Sequence, residues 1–402
     1  MNDFKNMYLS NFSKYDFILF ENCHQATNHK YDVFLIAKLL KSKGLKVAVL
    51  DIYHEDKENV KEGIEIIHLK KVLPIPNDKW QLHPKNKFFS LLCLIRFLWQ
   101  QHFYMKNVLA EVESLADRFY CGSYHLGMSR VFFTTDKICY YWGLRSSRMT
   151  NFWFHFKTNP IIALRMVMLR RAFMRNPSQR LFVSNDIILN EFENLGISKS
   201  RMLIREERCI DGLGEPNYNQ LSPNFSFLTI GMLRKDKRID FTISEFFKAN
   251  QPNWKYVLAG RADEKYEKLI EQSIGNNGNI RRINEFMDYD KFNLLMRESH
   301  FVVLADVKQK SCVTNGTMME ALINYRPIIA PNYDPYKSYF EKFRIGISYN
   351  PDIPGDLARA MTEAGEKGCK YFRMSIDNFL HTLVFNNVAG ELYHQLYPLK
   401  NE

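Results

Sequence analysis

A chain of 402 residues, 46% of them hydrophobic, has material for two ordinary cores, and two domains of about 200 residues each are the working expectation. The formal charge of +11 admits nucleic acid, an anionic membrane surface or a phosphorylated substrate as partner, and charge alone does not choose among them. Seven scattered cysteines without a C-x-x-C pair argue against a zinc or redox motif and for a reducing cytoplasm.

The N-terminal residues lack a basic region followed by an apolar core, so no secretory signal is expected. A buried strand is predicted at 15–20, followed by a polar loop from Glu21 to Lys30. Next comes a helix with Val33, Ile36, Ala37, Leu39 and Leu40 on one side, which stops at Gly44. L-K-V-A-V-L-D supplies the following strand, and 65–69 fits the same sheet. This is a β-α-β opening.

The apolar run from Phe88 to Met105 is interrupted by Arg96 and by Gln100 to His102, which is too polar for a membrane span. Over 159–175 a helix carries Arg165, Arg170, Arg171 and Arg175 against aliphatic and aromatic residues. It reads either as a solvated cationic face or as peripheral contact with anionic lipid. Residues 179–197 read as strand, cap and helix, with Ser184, Asn185 or Asp186 at the cap, and the Gly, Pro and Asn cluster at 211–224 is the best interdomain linker.

The second half repeats strand and helix from F-S-F-L-T-I-G onward, so the fold class is α/β, with two doubly wound Rossmann-like domains. Three strand ends there open onto charged or small-residue loops. Gly231 is followed by Arg234, Lys235, Lys237 and Arg238; Gly260 is followed by Arg261; and Thr314, Asn315, Gly316 and Thr317 precede a helix carrying Glu320. Because C-terminal strand ends of a parallel sheet share one edge, these loops are expected to be neighbours. Cations and helix N–H groups suit phosphate, and Glu320 suits the vicinal hydroxyls of a ribose. Each piece also has a plainer reading: solvated loop cations, a helix cap, and an acidic residue facing the helix dipole.

Residues 225–350 resemble the nucleotide-binding domain of GT-B glycosyltransferases, specifically glycosyltransferase family four. I-G-M-L-R-K-D-K-R-I-D is similar to that family's G-R-L-x-x-x-K-G-x-D loop, with Lys237 at the phosphate-binding lysine. N-G-T-M-M-E-A-L-I-N-Y-R-P-I-I-A is similar to the segment ending E-A-x-x-x-G-x-P-V-I-A, with Glu320 on its second glutamate. The chain departs from the pattern at Met232, where the family has arginine and Arg234 is the substitute, and at Cys312, where the family has its first glutamate.

The resemblance implies two Rossmann-like domains facing across a cleft. An acceptor-binding domain would span 1–210, with the helix at 384–402 packing back on it, and a nucleotide-sugar domain would span 211–383. It also implies glycosyl transfer from a nucleotide sugar to a saccharide or lipid-diphosphate-linked acceptor, with retention, without a bound metal or other cofactor, in surface polysaccharide synthesis at the cytoplasmic side of a membrane. Donor-binding roles fall on Gly231, Arg234, Lys237, Arg261, Thr314, Asn315, Gly316, Thr317 and Glu320, and catalytic roles on His24, Lys237 and Glu320. The competing expectations are a nucleotide-sugar epimerase, a non-catalytic binder of the same fold, and a basic nucleic-acid-binding protein. No RNP, KH or helix-turn-helix pattern supports the last of these.

Overall fold

The computed structural model describes residues 14–20, 27–51, 59–69, 96, 99, 103, 106–122, 135–142, 171, 173–194, 196–205, 208–249, 251–308 and 315–398. Most of the cationic helix expected over 159–175 lies outside them, as do His24, Cys312 and Thr314. The chain divides into two compact units, one of residues 1–206 and 388–402 and the other of residues 207–387.

The first unit is built on strands β1 (Tyr15–Phe20), β2 (Val47–Asp51), β3 (Val60–Lys61), β4 (Ile64–His68), β5 (Ala116–Cys121), β6 (Ile138–Trp142), β7 (Gln179–Val183) and β8 (Met202–Ile204). Their order is β3-β4-β2-β1-β5-β6-β7-β8, and every pairing is parallel except β3 with β4. Near-continuous apolar runs such as Phe17 to Phe20 are what a strand covered on both faces requires. Helix α1 (Thr27–Ser42) buries Val33, Ile36, Ala37, Leu39 and Leu40, all at helical spacing, and ends before Gly44, whose φ of 82° a side chain would resist. Helix α2 (Asp186–Asn194) begins under the side chain of Asn185, which accepts from the Ile188 N–H at 3.0 Å.

The second unit has strands β9 (Ser226–Ile230), β10 (Lys255–Ala259), β11 (Ile280–Ile283), β12 (Phe301–Val303), β13 (Ile328–Pro331) and β14 (Gly346–Tyr349), all parallel, in the order β11-β10-β9-β12-β13-β14. The connecting helices are α3 (Ile239–Ala249), α4 (Glu264–Ile274), α5 (Tyr289–Glu298), α6 (Gly316–Ile323), α7 (Tyr336–Phe343), α8 (Asp356–Lys367) and α9 (Arg373–Leu383). A final helix, α10 (Phe385–Leu396), begins in this unit and ends in the first. The strand order reverses between β9 and β12. Crevices at such reversals, outside the carboxyl ends of the strands, are where open α/β sheets take ligands.

Two buried charges hold the second unit's sheet to its helices. Arg282 of β11 pairs with Glu267 of α4 at 2.5 Å and donates to the carbonyls of Leu258, Gly260 and Ile283. Arg326, fully buried, has no carboxylate partner among the described residues. It instead donates to the carbonyls of Met296, Arg297, Asn217 and Tyr325. Carbonyl oxygens satisfy a buried guanidinium without requiring a second charge to be desolvated.

Beside this cation, Nδ1 of His300 accepts from the Ser226 N–H at 3.2 Å. Burial first, and then the Arg326 charge, push its pKa down to about 4 from 6.5. Between pH 6.5 and about 4 the unfolded chain takes up a proton here that the folded chain refuses. The contribution is therefore intact above pH 6.5 and is lost as the pH falls to about 4. Urea unfolding followed across that window is expected to show falling stability, and His300→Gln, which keeps an acceptor but cannot titrate, is expected to flatten the slope.

Candidate functional site

The site starts from two glycines. Gly231 follows β9 with φ of 111°, and Gly260 follows β10 with φ of 128°. A Cβ on Gly260 would stand 1.7 Å from the Gly231 carbonyl oxygen, so the two strand ends meet backbone to backbone and no side chain fits between them. The ladder runs on past the strands, with Gly231 N–H donating to Ala259 O (3.1 Å), Leu233 N–H to Arg261 O (2.9 Å) and Gly260 N–H to Ile283 O (2.9 Å). These bonds pin both loops at the sheet edge.

The loop after β9 then turns tightly through 235–237 and leaves Arg238 in the left-handed region at φ of 47°. A Cβ on Gly231 would lie 3.7 Å from Lys237 Nζ and 3.7 Å from Thr317 Oγ1. The ammonium and the hydroxyl, from different ends of the unit's sequence, therefore flank one open space above Gly231. Among the described residues a Cβ on Gly316 would meet nothing within 4 Å, which leaves the start of α6 uncovered by them.

Helix α6 is held in place by a partly buried network. Asn315, its N-cap, accepts from the Thr317 N–H at 2.9 Å, while its Nδ2 donates to Asp306 Oδ2 at 2.8 Å and to the Tyr336 hydroxyl at 2.7 Å. Tyr336 donates to the same Asp306 oxygen at 2.6 Å. Burial first, and then the Asp306 charge, raise the Tyr336 pKa well above the usual tyrosine value, so the phenol keeps its proton and remains a donor. Asp306 stands just past β12, and the neighbouring Val307 N–H donates to Asp236 O in the Lys237 loop at 2.8 Å. The network thus spans the point where the strand order reverses.

The four cations expected in the β9 loop divide sharply. Arg234 is bound by Asp236 through both nitrogens, at 3.1 and 3.0 Å, and Arg238 lies over the Phe241 ring at 4.0 Å. Lys235 and Lys237, and Arg261 in the loop one strand over, have no carboxylate partner among the described residues. They are the cations open to an anion. Phosphate binding expected at Arg234 must compete with a bidentate pair that already exists.

Glu320, one turn into α6, is mostly buried, and its Oε1 sits 3.0 Å from Nη2 of Arg208. Nothing in the sequence reading pointed to Arg208. Its partner lies far along the chain, and a lone arginine ahead of a linker carries no local pattern. Phe286 was also missed. It is 83% exposed just after β11 and borders an open groove of about 620 Å³ with Arg261 and Asn284. Among the described residues, Gly231, Lys237, Asn315, Gly316, Thr317, Glu320 and, one strand over, Gly260 and Arg261 come to one edge of the second unit's sheet. His24 and Thr314 lie outside the described residues.

Solved structures align with nearly the whole chain. A glycosyltransferase from Rickettsia africae matches with a TM-score of 0.64 at 13% identity, covering 97% of this chain and 100% of that one. The lipopolysaccharide outer core galactosyltransferase WaaB in its apo form matches at 0.61 and 11%, covering 95% and 99%. Anabaena HepE, solved in complex with UDP and glucose, matches at 0.58 and 14%, covering 96% and 100%. At these identities the shared property is the fold, and the chain has the GT-B fold of two parallel-sheet domains. No protein-family profile and no curated sequence matches it.

Replacing Asn315 by alanine removes the helix cap and leaves Asp306 and Tyr336 one partner short. This is expected to cost about 1–2 kcal/mol in urea unfolding and to speed amide exchange at Thr317.

Proposed function

We propose that the protein is a glycosyltransferase that binds a nucleotide-sugar donor at the strand-order reversal of its second unit. One observation carries the reading: Lys237 Nζ and Thr317 Oγ1 flank the same open space at Gly231, next to the uncovered start of α6, with a carboxylate one turn along that helix. An ammonium, a hydroxyl and helix N–H groups answer the oxygens of a diphosphate. The Glu320 carboxylate, acceptor-only when ionised, answers a cis-diol. A sugar nucleotide presents both, and the exposed Phe286 ring at the groove mouth gives its base a face to stack on.

In the proposed reaction the anomeric carbon exchanges its diphosphate oxygen for an acceptor oxygen. The bonding pair leaves with the nucleoside diphosphate, and the acceptor's hydroxyl proton passes to the departing phosphate. Lys237 and Arg261, fixed in place before the bond breaks, stabilise the charge that develops there. This reading assigns the phosphate charge to side chains and the helix dipole, not to a metal ion. The finer expectations stand as part of the proposal: retention at the anomeric carbon, a saccharide or lipid-diphosphate-linked acceptor bound by the first unit with His24 in its loop, and work in surface polysaccharide synthesis at the cytoplasmic face of a membrane. Among the described residues no helix is long and apolar enough to cross a membrane.

Titration calorimetry with UDP, GDP and ADP tests the donor site. One nucleotide is expected to bind the wild type, and Glu320→Ala and Lys237→Ala are each expected to lose about 1.5–3 kcal/mol, roughly ten- to hundredfold in affinity. Absence of binding by all three would sink the proposal. Release of the nucleoside diphosphate without transfer to any acceptor would instead favour the epimerase or binder reading. Phe286→Ala is expected to weaken the nucleotide about tenfold while leaving inorganic pyrophosphate unaffected, because stacking acts on the base alone.

A further inference from the structure

Glu320 is the only carboxylate on α6, and among the described residues its side chain has one partner, the guanidinium of Arg208 at 3.0 Å. The two differ in exposure. The Glu320 side chain is 12% exposed and that of Arg208 46%. Both ends of the pair are anchored. The Glu320 carbonyl accepts from the Asn324 backbone N–H at 3.1 Å and from the Asn324 side chain at 2.9 Å, within a helix capped by the Asn315, Asp306 and Tyr336 network. Arg208 sits two residues before Ile210, whose N–H donates to Leu383 O at 2.9 Å and whose carbonyl accepts from Phe385 N–H at 2.8 Å.

The nearest approach within the pair is Nη2 to Oε1. A carboxylate has about four lone-pair sites, more than a single guanidinium occupies, so sites remain for two hydroxyl donors. The arginine orients the carboxylate and leaves it usable. We infer that Arg208 is a positioning residue for donor binding, setting the Glu320 carboxylate in the orientation that accepts the ribose hydroxyls of a nucleotide. The inference rests on the nucleotide-sugar reading given above and adds to it a residue outside the two loops that carry the phosphate-binding groups.

Acting through Glu320, Arg208 bears on the ribose and not on the phosphates. This separates it from Lys237 and Arg261 in an experiment. Wild type, Arg208→Ala, Arg208→Lys, Glu320→Ala and the Arg208→Ala/Glu320→Ala double variant are titrated with UDP, GDP, ADP and inorganic pyrophosphate, with thermal melting to confirm that each is folded. For the nucleotide that binds wild type, Arg208→Ala is expected to weaken affinity about three- to fivefold, the scale of a half-exposed ion pair. Lysine at 208 is expected to recover about half of that loss, since it keeps the charge without the planar fork. In the Glu320→Ala background the arginine change is expected to have no further effect, and pyrophosphate is expected to bind wild type and Arg208→Ala alike.

An unchanged or tighter nucleotide affinity in Arg208→Ala would overturn the inference, the tighter case marking Arg208 as a competitor for the carboxylate. Losses that add to those of Glu320→Ala, or a matching loss for pyrophosphate, would overturn it too, because Arg208 would then touch the phosphates directly. If wild type binds none of the nucleotides, the donor reading itself fails and this inference falls with it. Wild-type binding with an indifferent Arg208→Ala sinks only the positioning role.

Discussion

The contact between Gly231 and Gly260 governs the second unit's functional edge. Two adjacent strands end there with no side chain between them, and the backbone ladder continues through Leu233 and Arg261 into the loops themselves. A loop pinned within two residues of its strand has few conformations left. The short turn at 235–237 can then deliver Lys237 to a defined point. Any larger residue at 260 would force the strand ends apart and release both loops together. The site's geometry is therefore a property of the sheet, which is the rigid part of the unit.

Charge is distributed over this edge by subtraction. The β9 loop carries four cations within five residues, a density that looks like a phosphate trap in one dimension. In three dimensions Asp236 takes Arg234 and the Phe241 ring takes Arg238. What stays open is Lys237 and the exposed Lys235, with Arg261 one strand away. An ion pair inside a loop also stiffens that loop, so Arg234 contributes to the turn's shape even where it is not free to meet a ligand.

Much of this was legible in one dimension. Buried parallel strands announce themselves as short apolar runs, as at 15–20 and in F-S-F-L-T-I-G, and the helix start at Asn315 and Gly316 shows in residue types alone. What escaped was charge used as interior structure. β11 reads Ile-Arg-Arg-Ile and gives no apolar run, yet Arg282 is buried against Glu267 and three carbonyls. Arg326 resembles a turn residue and is wholly enclosed. Arg208, although half exposed, shares one trait with them: its partner lies far along the chain and only the fold brings it near. Local pattern reports propensity and periodicity, and it is silent on which distant carbonyl or carboxylate a guanidinium will find.

The far edge of the first unit's sheet carries a smaller device. β8 is the last strand in the order, and an edge strand presents unpaired N–H and C=O groups to any passing chain. Here the primary amide of Gln395, from the last turn of α10, accepts from the Ile204 N–H at 2.8 Å and donates to the Ile204 carbonyl at 2.9 Å, while Tyr397 just beyond engages Arg118 of β5. Among the described residues, a side-chain amide thus stands in for the peptide group of a further strand. The last turn of this helix blunts the edge at Ile204, and a protein trimmed before Gln395 would leave that residue's N–H and C=O open to intermolecular β-pairing.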